Sequence, residues 1–264
     1  MEFIAEVTLE HKEPKILLVD DDELSRRMME LLLTGEGYNY DTASNGQEAV
    51  SAVQSQSFDM VLMDLQMPIM DGFEATRTIR AWEAENRHTP IVALTAMLFD
   101  DEIQNCLGVG MDGCIEKPFN TEQLFQLIES YVNQSTQPIS SEKLQETKST
   151  DKPMVLDIQG ATPRFGENLH AYQDFLKEFI DDLPERIDQF QTVFLSGNYQ
   201  ALADSAHNLK GISASMGAMQ LSHLSHILDQ TSLGGDSLRI QQSLDDIHKH
   251  IPILQKVVAD FLSL

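Results

Sequence analysis

The stretch KILLVD, Lys15–Asp20, packs four apolar residues between a lysine and the first of three consecutive aspartates. An apolar run this short, unbroken and rich in branched side chains reads as a strand covered on both faces. FDMVLMD (58–64), PIVALTA (90–96) and DGCIEKP (112–118) repeat the pattern, and YNYDTAS (38–44) is a weaker fifth copy. Between these runs, apolar residues at three and four spacing predict helices over 23–33, 46–55, 72–85, 99–108 and 121–132. Regular alternation of strand and helix specifies a doubly wound α/β fold, a five-stranded parallel sheet with helices on both faces.

The pattern changes at Asn133. NQSTQPISSEKLQETKSTDKP is polar and aperiodic, so 134–154 is a linker between one domain over 14–133 and another over 155–264. A flexible linker of this length spans about 25 Å. Beyond it no strand pattern occurs. Tyr172, Phe175, Phe179, Leu183, Ile187, Phe190 and Phe194 form one apolar stripe, which Gly197 closes. Leu202, Ala206, Leu209 and Met216 form a second, Leu221, Leu224 and Leu228 a third, and Ile240 through Phe261 a fourth. Four amphipathic helices with short connections predict an antiparallel four-helix bundle. Pro184 and Pro252 lie inside two of the stripes, where kinks or breaks are expected.

Composition excludes several functions. With 18 basic and 42 acidic residues the net charge is -24, which repels nucleic acid. No apolar run approaches the roughly 20 residues of a membrane span, and MEFIAEVTLEHKEPK is not a signal peptide. Cys106 and Cys114 form no CxxC pair or disulfide framework. These features predict a cytoplasmic chain that inserts in no membrane.

Parallel sheets present their chemistry at the C-terminal ends of the strands. Asp20, Asp21 and Asp22 follow the first run, Asp64 ends the third, Thr95 the fourth, and Lys117 the fifth. Two carboxylates about 4 Å apart repel by about 4 kcal/mol at an effective dielectric of 20, so the cluster needs a cation or protons. Hard oxygen ligands with space for water and phosphate suit Mg2+. Lys117 adds a positive charge and Thr95 a hydrogen bond. Placing negative charge at a helix N-terminus accounts for Asp20–Asp22 alone, but not for Asp64, Thr95 and Lys117 at three further strand ends.

ILLVDDDE, VLMDLQMPIMDGFEATRTIR, IVALTA and CIEKPF, in this order and spacing, resemble the receiver domain of two-component response regulators, a flavodoxin-like fold, over about 14–133. The resemblance implies that Asp64 is the phosphoacceptor and Asp20 and Asp21 the acid pair, with Asp21 a direct Mg2+ ligand. It implies a further ligand in the main-chain carbonyl of Gln66, and contacts from Thr95 and Lys117 to the phosphoryl group. A carboxylate is ionised at neutral pH and needs no general base to attack phosphorus. One departure is Cys114, three residues before Lys117, where signalling receivers commonly carry an aromatic. Gln66 and Met97 flank the site and are expected to tune the lifetime of the acyl phosphate.

In AHNLKGISASMGA (206–218), His207 sits at the edge of an apolar stripe with Ala203, Lys210, Gly211 and Ala214 one and two turns away. A helical glycine costs about 1 kcal/mol relative to alanine, so the bare surface needs a use. A neutral imidazole is a nucleophile, and Lys210 offsets the charge that phosphorylation adds. His170, His248 and His250 read as solvated or boundary residues, and His223 and His226 as solvent-facing. AHNLKGISASMGA, preceded by FLSGNYQALADS, resembles the histidine-containing phosphotransfer (Hpt) domain over about 155–264. The resemblance implies that His207 is phosphorylated, with Lys210 and Gly211 in supporting positions. It also implies an upstream sensor histidine kinase and a downstream response-regulator receiver as partners.

No ATP-binding kinase motif is visible, so the expectation is a relay protein and not an enzyme. Two other readings stand beside it. One is a C-terminal piece of a hybrid sensor kinase, with EFIAEVTLE (2–10) as the last strand of the kinase domain. The other is a docking protein whose sites are only structural.

Overall fold

The structure is a computed structural model and describes residues 14–83, 87–95, 100–119, 121–132, 153–166 and 168–263. The expected strand at 2–10, Met97 and nearly all of the expected linker lie outside these residues.

The first unit runs β1 (Lys15–Val19), α1 (Glu23–Gly35), β2 (Asn39–Ala43), α2 (Gly46–Ser55), β3 (Met60–Asp64), α3 (Gly72–Glu83), β4 (Ile91–Thr95), α4 (Asp100–Gly108), β5 (Gly113–Glu116) and α5 (Thr121–Val132). The sheet order is β2-β1-β3-β4-β5 and every pairing is parallel. β1, β3 and β4 are apolar throughout because helices cover both of their faces. The register sets Asp64 opposite Leu94, one residue before Thr95, so the strand-end side chains meet at one edge. The order reverses between β1 and β3, and the crevice at that reversal opens beside Asp20 and Asp64.

The second unit opens with one helical turn, α6 (Ile158–Ala161), and a 3-10 turn at Thr162–Phe165, neither of which the apolar stripes foretell. This segment seals one end of the bundle. Phe165 packs 5.3 Å from the Tyr172 ring and 5.5 Å from Phe175, and Arg164 donates to the carbonyl of Ala214 at 2.6 Å, adding a side-chain donor to a carbonyl at the end of the helix that also accepts from the Gly217 N–H at 3.1 Å. Four long helices follow: α7 (Leu169–Leu195), α8 (Tyr199–Ser215), α9 (Met219–Gly234) and α10 (Ser237–Leu262). Gly197 ends the α7 connection in the left-handed region, at φ 75°.

Pro184 and Pro252 do not break their helices, contrary to one of the two expected outcomes; α7 and α10 run through them. Leu183 and Ile187 flank Pro184, and Ile251 and Leu254 flank Pro252, in the buried stripe, and this burial outweighs a single lost backbone hydrogen bond. A second correction concerns His250. It is 3% exposed, not at the boundary, because it faces the same side of α10 as Ile247, Ile251 and Leu254.

Candidate functional site

The three aspartates after β1 divide their tasks. Asp22 caps α1, accepting from the Ser25 N–H at 2.9 Å, so the helix-terminal explanation holds for this residue. Asp20 and Asp21 turn instead towards Asp64, and one carboxylate oxygen from each of the three lies within 4.8 Å of the other two. Asp20 accepts from the Asp22 N–H at 2.9 Å, and Asp64 accepts from the Gln66 N–H at 3.2 Å. Lys117 Nζ donates to both Asp20, at 2.7 Å, and Asp64, at 2.6 Å. Thr95 is buried at the end of β4, and its carbonyl accepts from the Lys117 N–H at 2.6 Å, holding the end of β5 against β4.

The charge in this crevice does not balance. Three carboxylates share one ammonium. Burial, helped by the Asp64 charge and opposed by Lys117, pushes the Asp20 carboxyl up to about 7. Burial and Asp64 push Asp21 up to about 6. Burial opposes the charge on Lys117, but Asp20 and Asp64 together hold its ammonium well above the ordinary lysine range. Asp21 Oδ1 is buried and has no hydrogen-bond partner. An orphaned carboxylate oxygen within a three-carboxylate cluster is the donor set that a small hard dication satisfies, so the residues fit Mg2+.

His207 lies on α8, and its Nδ1 is 3.3 Å from a carboxylate oxygen of Asp229 on α9. Sequence reasoning missed Asp229. The available signal was a carboxylate next to Leu228 of the apolar stripe; in the structure it is 6% exposed, on a buried face it shares with Ser222, Ser225 and Ser232. Lys210 has its ammonium pKa lowered by burial, against the pull of Asp229. A Cβ on Gly211 meets nothing within 4 Å, so the surface beside His207 is open. Among the other histidines, His170, His223 and His248 are exposed. His226 is half-buried, and burial followed by the Lys210 charge lowers its pKa.

Asn208, the residue after His207, donates through Nδ2 to Asp21 Oδ2 at 2.8 Å. Arg186 of α7 pairs with Asp22 at 2.5 Å. The helix that carries His207 therefore lies along the carboxylate edge of the sheet. Neither contact is legible in sequence, because each joins residues more than 150 positions apart.

Comparison with known proteins agrees with this geometry. Residues 16–129 match the response regulator receiver domain, and residues 174–257 match the Hpt domain. The chain is thus a receiver domain followed by an Hpt domain, the paired modules of a phosphorelay. It is 31% identical over 246 residues to the sensor protein GacS of Pseudomonas syringae pv. syringae, a match covering 92% of this chain and 27% of that protein. It is 27% identical over 247 residues to the sensor protein EvgS of Escherichia coli K12, covering 93% of this chain and 19% of that protein. The chain spans about a quarter or less of the length of these curated relatives. Among solved structures, the receiver domain of a sensor histidine kinase from Pseudomonas aeruginosa PAO1 is 35% identical, covering 46% of this chain and 98% of that one, with a TM-score of 0.43. Among the described residues no helix is long and apolar enough to cross a membrane.

Proposed function

We propose that this chain carries phosphoryl groups through two stations, the aspartate Asp64 of a receiver domain over 14–133 and the histidine His207 of a phosphotransfer bundle over 155–264, joined by a linker at 134–154. The observation that carries the reading is the double bridge from Lys117 to Asp64 and Asp20, on the same edge where the neighbour of His207 touches Asp21.

In the first step a carboxylate oxygen of Asp64 attacks the phosphorus of a phosphohistidine on an upstream sensor histidine kinase. The P–N bond breaks, its electron pair returns to the donor imidazole, and an acyl phosphate forms on Asp64. Asp20, Asp21, Asp64 and the main-chain carbonyl of Gln66 would hold Mg2+, which would supply positive charge to the oxygens of the transferring group. Lys117, already held at Asp64 by its hydrogen bond there, and Thr95 at the end of β4 hold the phosphoryl oxygens. In the second step His207 Nε2 attacks the acyl phosphate, and the Asp64 carboxylate leaves. A proton on Nδ1, donated towards Asp229, keeps the lone pair on Nε2. Lys210 balances the charge that accumulates on His207, and Gly211 leaves room for the receiver surface.

The chain passes phosphate on and makes no phosphohistidine from ATP. A downstream response-regulator receiver takes the phosphate, and nucleic acid takes no part, given the net charge of -24. Free Cys106 and Cys114 support a cytoplasmic setting. The coverage of GacS by more than nine-tenths of this chain favours a second reading, that these two domains act as the relay segment of a sensor kinase. A radiolabel assay tests the proposal. Asp64→Asn abolishes charging by a phosphohistidine donor, while His207→Gln charges on Asp64 but passes nothing to a downstream receiver. Wild-type onward transfer by His207→Gln refutes it.

A further inference from the structure

Helix α1 serves two cores. Met29, Leu32 and Leu33 belong to the cluster beneath the receiver sheet. Leu24 and Met28, with Leu31 at their edge, belong to the cluster that fills the Hpt bundle. At about 100° per residue, positions 24, 28 and 31 form one stripe, set about a third of a turn from the stripe of 29, 32 and 33. Leu24 and Met28 are only 3% and 6% exposed, yet the receiver's own core does not include them.

Charges flank this seam in reciprocal order. The receiver presents Asp22 to Arg186 of the bundle and Arg27 to Glu178. The Arg27 guanidinium also lies 5.4 Å from the ring centroid of Phe175. On the side towards α5, Thr121 Oγ1 donates to the Pro163 carbonyl at 2.8 Å. A chain with a large acidic excess has thus placed one of its few arginines against the acidic triplet.

We propose that the Hpt unit is the resident occupant of the α1 face of its own receiver, and that this closed pair excludes outside phosphohistidine donors until it opens. The proposal rests on the relay reading above. A linker of about 20 residues holds the two units at millimolar effective concentration, far above that of a free partner. A donor protein that approaches Asp64 along α1 meets Leu24, Met28 and Arg27 already covered.

Small-angle scattering and donor exchange on the full chain test this. Glu178→Arg with Arg186→Glu reverses both ion pairs from the bundle side and leaves the receiver surface unaltered. The radius of gyration is expected to rise, and adding Arg27→Glu, which restores one pair, to bring it partly back. Met28→Glu, with folding checked by circular dichroism, should open the pair independently. The bundle-side double variant should accept label from an added phosphorylated Hpt protein roughly tenfold faster than wild type, while acetyl phosphate labels both equally. A radius unchanged in both variants overturns the proposal, as does opening with no gain in acceptance. Failure of the relay reading shows separately, as no label from acetyl phosphate while scattering still reports closure.

Discussion

His207 Nδ1 faces a carboxylate oxygen of Asp229 at 3.3 Å, across the two helices α8 and α9. The pairing distinguishes the two ring nitrogens: Nδ1 is tethered, and on the proposed relay reading Nε2 is left to act as the nucleophile. Two-dimensional 1H–15N spectra of the phosphorylated chain should place the phosphoryl group on Nε2. Asp229→Ala should slow transfer to His207 roughly ten- to hundredfold, in the range seen when an orienting partner of a histidine is removed. Phosphorylation on Nδ1 would contradict the pairing.

The raised carboxyls of Asp20, at about 7, and Asp21, at about 6, make the crevice pH-sensitive. Mg2+ must displace the protons they hold, so its affinity should rise by up to about tenfold per pH unit per displaced proton between pH 5.5 and 7.5. Isothermal titration in two buffers of different ionisation enthalpy counts the protons released. The folded state binds these protons more tightly than the unfolded chain does. Metal-free stability should therefore fall as pH rises from about 4 to about 7, and Asp20→Asn should flatten that slope.

His250 behaves in the opposite sense. Burial lowers its pKa from the usual 6.5, and neither ring nitrogen has a partner. A base whose pKa is depressed on folding contributes stability above its unfolded pKa and loses it as pH falls, so acid should destabilise the bundle below about pH 6.5. His250→Leu should remove this dependence and raise stability by about 1–3 kcal/mol, the cost of an unpaired buried polar group. Urea titrations at pH 5 and pH 7.5 measure both effects.

Two glycines near the sites should respond in opposite ways to alanine. A Cβ at Gly72 falls 2.2 Å from the Asp64 carbonyl oxygen, a backbone atom that cannot move aside. Gly72→Ala should cost about 1–3 kcal/mol or more and disturb Asp64 labelling by acetyl phosphate. Gly211 has open space, so Gly211→Ala should stabilise α8 by about 1 kcal/mol with transfer intact.

Gly211→Leu carries bulk into the approach path beside His207 and should impair transfer while the helix persists. Stopped-flow transfer rates for the two Gly211 variants, set against their helical circular dichroism, separate clearance from propensity. Equal rates would remove clearance as the reason for the glycine.

Much of this architecture is local in origin, and for that reason legible. KILLVD and FDMVLMD are buried on both faces, so their composition alone marks them as strands, and parallel topology then sends Asp20, Asp21, Asp64, Thr95 and Lys117 to one edge. The stripes of α7 and α10 report burial at helical spacing, and they continue through Pro184 and Pro252. What depends on which surfaces meet was not legible. The His207–Asp229 pair, the burial of His250, the Asn208–Asp21 hydrogen bond and the second apolar stripe on α1 arise from packing between elements far apart in the chain. The sequence by itself determined which residues end the strands and which line the helix stripes, because periodicity and strand ends are short-range signals. Only the tertiary structure decided which partners those residues face, because the pairing energy resides in contacts that no local pattern encodes.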